Sequence, residues 1–144
     1  MKRISKAVWK GTGKEGSGVL NSQSGALEDL PYSFKMRFEN EDGTKGTNPE
    51  ELIAAAHAGC FAMALAVQLQ GAGYTADSID VSATLKMIKD DKGWVADTMN
   101  LVLDAQVPDI SQEKFDELAG NAKTGCPISR SLNCEIVLEA TLSS

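Results

Sequence analysis

Basic charge is in short supply in this chain. Its 144 residues carry 14 Lys and Arg against 20 Asp and Glu, a net charge of -6. Nucleic acids and anionic membranes are bound by clustered Lys and Arg. No nucleic-acid partner and no membrane partner is therefore expected. Long hydrophobic runs are missing as well. The longest, Leu52 to Val67, contains His57 and Gly59 and falls short of the roughly 20 apolar residues of a membrane span. A buried soluble helix is expected there. The basic opening "MKRISKAVWKGTGKEGSG" lacks the apolar stretch of a secretory signal. A cytoplasmic location is expected.

Cysteine is scarce and odd in number: Cys60, Cys126 and Cys134. Three widely spaced cysteines do not make a secreted disulfide framework. In a reducing cytosol disulfides are transient and redox-active. A bond between two of these cysteines is thus expected to be catalytic or regulatory rather than a staple. Arginine is just as scarce, with only Arg3, Arg37 and Arg130, and His57 is the single histidine. No internal repeat and no long linker interrupts the chain. Its length suits one domain, residues 1–144.

The patterning that is present gives an order of elements. "RISKAVWK", residues 3–10, reads as a strand, and "GKEGSGVLNSQSG" as a turn followed by a short strand. "YSFKMRF", residues 32–38, alternates and reads as a strand, with Tyr32, Phe34, Met36 and Phe38 on one face. Ser33, Lys35 and Arg37 fall on the other. "NPEELIAAAHAGCFAMALAVQLQGAGY" reads as a long helix. Asn48 is its cap, Pro49 its first residue, and Gly71 and Gly73 its end. It is apolar all round, so cover is expected on every side. A β-hairpin follows, with Ile79, Val81, Ala83, Leu85 and Met87 in phase, then Leu101, Leu103, Ala105 and Val107. "SQEKFDELAGNAKTG" reads as an amphipathic helix capped by Ser111, "CPISRSL" as a short helical turn, and "CEIVLEATL" as the last strand. The fold class expected is α+β, with antiparallel sheets around a long buried central helix.

The cysteines differ in setting. Cys134 opens a strand in phase with the core, which suits a buried structural thiol. Cys126 lies between Gly125 and Pro127. Proline suits a first helical position, which puts Cys126 at the cap, where the helix end favours a thiolate. The alternative is a cysteine that merely caps a turn. Cys60 lies deep inside its helix, where the dipole gives no help and apolar neighbours raise its pKa. It is either an inert buried thiol or one activated by a cation from elsewhere. Arginine is the suitable cation, and Arg37 is a candidate, although a solvated side chain explains its spacing as well. His57 stands three residues before Cys60. It reads as a packed core histidine, a base, or a metal ligand with Cys60 and Cys126, and three ligands at that spacing form a weak metal signal.

"GTNPEELIAAAHAGCFAMAL" and "AKTGCPISRSL" resemble the paired cysteine motifs of the OsmC/Ohr family, the osmotically inducible and organic hydroperoxide resistance proteins. "YSFKMRFE" resembles the segment that carries the family's arginine. The family order holds from "AVWKG" to "CEIVLEATL". An arginine shortly before "GTNPEEL", with none between Arg3 and Arg37, resembles the OsmC branch. The resemblance implies a thiol-dependent peroxidase acting on organic hydroperoxides and, less efficiently, on hydrogen peroxide. It implies an intertwined homodimer, an external dithiol reductant, and neither metal nor organic cofactor. By motif position it makes Cys60 the peroxidatic thiol, Cys126 the resolving one, Arg37 the activating arginine, and Glu50 the carboxylate that holds it. Two alternatives stand beside it: a metal protein using His57, Cys60 and Cys126, and a non-catalytic member binding small apolar ligands.

Overall fold

A computed structural model describes residues 1–143. They fall into two compact units, residues 1–52 and 53–143. The elements in chain order are β1 (Ser5–Lys10), β2 (Ser17–Ser22), β3 (Leu30–Ser33), α1 (Phe34–Phe38), α2 (Pro49–Gly71), β4 (Ser78–Asp90), β5 (Gly93–Gln106), α3 (Gln112–Gly125), α4 (Pro127–Ser131) and β6 (Glu135–Ser143).

The first unit is an antiparallel meander, β1-β2-β3, followed by α1. Trp9 packs on Tyr32 with ring centroids 5.3 Å apart. The expected strand over 32–38 stops at Ser33. The Ser33 hydroxyl accepts a hydrogen bond from the Met36 amide at 3.1 Å and caps a helix instead. A spacing of two, continued over five residues, also creates an i, i+4 pair. The Phe34 and Phe38 rings use it, with centroids 4.8 Å apart. Alternation over so short a stretch fits either element, and the cap decides. This unit buries little of its apolar surface: Ile4, Val8, Trp9 and Phe38 are all exposed.

The start of α2 forms as the sequence implies. Asn48 Oδ1 accepts from the Glu51 amide at 2.8 Å, and Pro49 takes the first helical position, where no amide is needed. The helix is 23 residues long and runs unbroken through Gly59. It is longer than the apolar run suggests, and by length and composition alone it could cross a membrane. Within the second unit its fully buried residues lie along one row. His57, Phe61, Leu65 and Leu69, four residues apart in turn, are buried. The opposite row is open: Ala55, Ala56 and Gly59 are exposed, Met63 is 70% exposed and Val67 61%. Cover on every side is therefore not supplied within the second unit.

The second unit holds the core. Phe61, Leu65 and Leu69 of α2 pack with Met99, Leu101, Leu103 and Ala105 of β5 and with Phe115, Leu118, Ala119 and Ala122 of α3. Strands β4 and β5 form a long antiparallel hairpin. Asp90 Oδ1 turns it by accepting from the amides of Lys92 (2.8 Å) and Gly93 (3.0 Å), and Gly93 takes φ +128, which glycine tolerates. The core strand β5 follows the expected phase. Strand β6 departs from the expected antiparallel pairing and runs parallel to β5. The reason is the connection: α3 and α4 return the chain to the starting end of β5, as a helical crossover does.

Candidate functional site

Cys126 is delivered by the junction of α3 and α4. Its amide closes α3 on the Ala122 carbonyl at 2.9 Å, and Pro127 then opens α4. Cys126 is fully buried. Cys60 comes from the middle of α2, three residues after His57, and is partly buried. The two sulfurs lie 3.0 Å apart, and both cysteines are free thiols. A disulfide bond is about 2.05 Å long, so about 1 Å of approach would close one.

The two thiols have opposite acidities. Burial pushes the Cys60 pKa up, and its hydrogen bond with Cys126 adds to the rise. Burial also works against a Cys126 thiolate. It is outweighed by the hydrogen bond with Cys60, by the Ser129 amide and hydroxyl, and by the Ile128 amide, so the Cys126 pKa falls. No amide of α4 closes a full capping hydrogen bond on the sulfur; the first turn acts on it as a set of nearby dipoles. Within this unit burial works against a Cys60 thiolate, so a cation is needed to stabilise one. Cys134 stands apart. It packs against the core at the start of β6, and burial raises its pKa.

His57 is fully buried. Its Nε2 is 2.7 Å from Ser129 Oγ, and its Nδ1 is buried without a hydrogen-bond partner. Desolvation lowers its pKa. Ser129 was not singled out by the sequence. Its place three residues after Cys126 was visible, but its link to His57 spans 72 positions. Among the described residues, no group of three or more His, Cys, Asp or Glu side chains is placed to hold a metal ion. The imidazole faces Ser129, and the metal reading gains no support.

Arg37 and Glu50 meet in the first unit. Arg37 Nε and Nη2 reach the two oxygens of Glu50 at 3.1 and 2.5 Å, a bidentate fork. The guanidinium also lies 4.8 Å from the Phe38 ring centroid. Helix α1 makes this possible by carrying Arg37 on a helical turn rather than on a strand face. The neighbouring Glu51 is engaged elsewhere, accepting from Thr47 Oγ1 at 2.7 Å. Arg37 is thus a held cation rather than a freely solvated one.

The geometry leads to one family. The model of the OsmC-like protein family matches residues 41–141, and the chain belongs to that family. It is 46% identical to peroxiredoxin OsmC of Escherichia coli strain K12 over 138 residues, covering 96% of this chain and 94% of that protein. It is 31% identical to the organic hydroperoxide resistance protein OhrB of Bacillus subtilis over 126 residues, covering 85% of this chain and 88% of that one. The crystal structure of OhrB of Bacillus subtilis superposes with a TM-score of 0.69 at 26% identity, covering 96% and 98% of the two chains. The α+β, OsmC-like fold expected from the sequence is the fold observed, and the greater identity falls on the OsmC side.

Proposed function

We propose that this protein is a thiol-dependent peroxidase that reduces organic hydroperoxides, and hydrogen peroxide less efficiently, with Cys60 as the attacking thiol and Cys126 as the resolving one. The observation that carries the proposal is the pair of reduced sulfurs 3.0 Å apart in the core. The similarity to a peroxiredoxin and to a hydroperoxide resistance protein supports it. The Cys60 thiolate attacks the O–O bond of ROOH. Cys60 becomes a sulfenic acid, and the alkoxide leaves to be protonated to the alcohol. Cys126 then attacks the Cys60 sulfur, forming a disulfide and releasing water. An external dithiol restores both thiols by exchange. The oxidant is the substrate and the reductant is the dithiol, so the cycle uses neither metal nor organic cofactor.

Arg37 serves in this scheme as the cation that Cys60 lacks. It offsets the cost of a buried thiolate and stabilises the charge developing on the departing oxygen. Glu50 keeps the guanidinium pointed. The protein acts as a cytoplasmic homodimer in which residues 1–144 work as one domain. Two features support the second copy. The open row of α2 is made of small and apolar side chains, and the first unit leaves its own apolar residues exposed.

The deciding experiment is peroxide consumption by the reduced protein with a dithiol, comparing an alkyl hydroperoxide with hydrogen peroxide. Faster turnover of the alkyl substrate is expected. Failure to consume either would favour the ligand-binding alternative. After one equivalent of peroxide, mass spectrometry should find a Cys60–Cys126 disulfide. A dominant bond to Cys134 would overturn the assignment of roles.

Arg37→Ala should raise the Cys60 pKa, because the opposite charge that offsets burial is lost. The alkylation rate of Cys60 across a pH series measures it. A raised pKa leaves less thiolate at neutral pH, so peroxide reduction should slow there and recover as the pH rises. Arg37→Lys should recover only part of the loss, because an ammonium lacks the planar fork that Glu50 grips. An unchanged Cys60 pKa in Arg37→Ala would remove Arg37 from the site.

A further inference from the structure

His57 is a costly residue where it stands. A buried polar group is tolerated when it is hydrogen bonded, yet His57 is fully buried with one nitrogen satisfied and the other orphaned. An apolar side chain would extend the row of Phe61, Leu65 and Leu69 at no such cost. The satisfied nitrogen points to Ser129 at 2.7 Å. Ser129 lies in the first turn of α4, the turn that Cys126 caps, and its amide and hydroxyl favour the Cys126 thiolate. Cys126 in turn touches Cys60. Two contacts, His57 with Ser129 and Cys126 with Cys60, thus meet at the first turn of α4.

We infer that His57 and Ser129 form a buried proton relay that prepares Cys126 to attack the Cys60 sulfenic acid. This rests on the reading of Cys126 as the resolving thiol. The hydroxyl of Ser129 has one hydrogen, which fixes how the relay works. In the reduced pair the Cys126 thiol donates to Cys60; once Cys60 is a sulfenic acid, the thiol turns to Ser129 Oγ, Ser129 donates to His57 Nε2, and the neutral imidazole carries its hydrogen on Nδ1. When the proton moves, His57 gains a hydrogen on Nε2, the Ser129 hydroxyl turns to the sulfur, and Cys126 becomes a thiolate. That thiolate attacks the Cys60 sulfur and expels hydroxide. Cys126–SH and Cys60–SOH give the disulfide and one water, and the thiol's proton ends on the hydroxide. Burial disfavours the imidazolium, so His57 holds the proton only in passing. The titratable group that acts on Cys126 directly is Cys60; His57 reaches it only by way of Ser129 in this relay, and α3 adds the apolar Ala119 and Ala122 to the same core cluster. Ser129 and His57 are positioning residues here, since neither touches the peroxide.

The test uses two readouts on wild type, His57→Gln, Ser129→Ala and Ser129→Thr. Rapid quenching after one equivalent of alkyl hydroperoxide follows sulfenic acid formation at Cys60 and then disulfide closure. Closure should slow about 100-fold in His57→Gln and Ser129→Ala, the scale of a lost proton-transfer partner, while the sulfenic acid forms at its usual rate. Ser129→Thr keeps the hydroxyl and should recover most of the closure rate. The second readout needs no peroxide: alkylation of Cys126 at neutral pH in a Cys60→Ser background, which should slow in the same two variants. An unchanged closure rate in Ser129→Ala would overturn the relay. So would an equal fall in both steps with Cys126 alkylation unaltered, which is what loss of packing alone would give. If His57→Gln fails to fold, the two Ser129 variants decide, because Ser129 is only half-buried. If wild type forms no sulfenic acid but Cys126 alkylation still depends on His57 and Ser129, the relay stands and the peroxidase reading fails.

Discussion

Cys60→Ser should abolish hydroperoxide turnover outright. The loss is total rather than partial because the thiolate is both the nucleophile and the atom that carries the oxygen. A serine hydroxyl at the same place forms no sulfenic acid and no bond to Cys126. The structure gives the other thiols no route to replace it. Cys126 is fully buried, and Cys134 packs on the core with a raised pKa. Cys126→Ser should behave differently. Its Cys60 is intact, so it should consume one equivalent of peroxide and then stall as the sulfenic acid, exposed to further oxidation. Cys134→Ser should turn over much as wild type does. A titration of peroxide consumed per chain, with and without dithiol, separates the three variants: none, one equivalent, and continuous. Sustained turnover by Cys60→Ser would place the chemistry on another residue.

The sequence made the site legible in pieces, and the pieces differ in kind. Asn48, Pro49 and Pro127 act within one turn of where they stand, so the start of α2 and the cap position of Cys126 could be read directly. The low intrinsic reactivity of Cys60 was readable too, because burial and distance from a helix end are local matters. Helix α1 was misread, since five residues spaced by two satisfy a strand face and an i, i+4 ring pair equally well. Only the Ser33 cap separates them. The direction of β6 was hidden because parallel pairing is set by the path of α3 and α4, not by the strand's own alternation. Ser129 was hidden for a similar reason: a serine in a helical turn has many uses, and its partner His57 lies on a distant element. What the resemblance supplied, and residue patterning did not, was the pairing of Arg37 with Glu50. The structure adds that the fork is formed from α1 and the first turn of α2.

Mixed dimers should show that the peroxidatic site is shared between subunits. The argument begins with α2 as a single element. Helix α2 is unbroken from Pro49 to Gly71, so Glu50 and Cys60 are separated by about 15 Å of helical rise. A bend near Gly59, which would shorten that span, does not occur. We propose that the arginine gripped by Glu50 serves the Cys60 of the partner subunit rather than the one ten positions along its own helix. A second copy removes the difficulty. Two α2 helices packed antiparallel about a two-fold axis near Ala55 bring Glu50 of one level with Cys60 of the partner subunit, as an isologous interface allows. The open row of α2 suits that crossing. Ala55, Ala56 and Gly59 are exposed and small enough for close backbone approach, and Met63 and Val67 gain the cover they lack. The experiment pairs a Cys60→Ser subunit with an Arg37→Ala subunit under separate tags. In a shared arrangement one of the two sites is whole, built from Cys60 of the Arg37→Ala chain and Arg37 of the Cys60→Ser chain. Half the wild-type rate per dimer is expected, although each variant alone is impaired. If the site were built within one chain, neither subunit would hold both residues. The mixed dimers would then be no better than the Arg37→Ala homodimer, and the crossing of α2 helices would have to be abandoned.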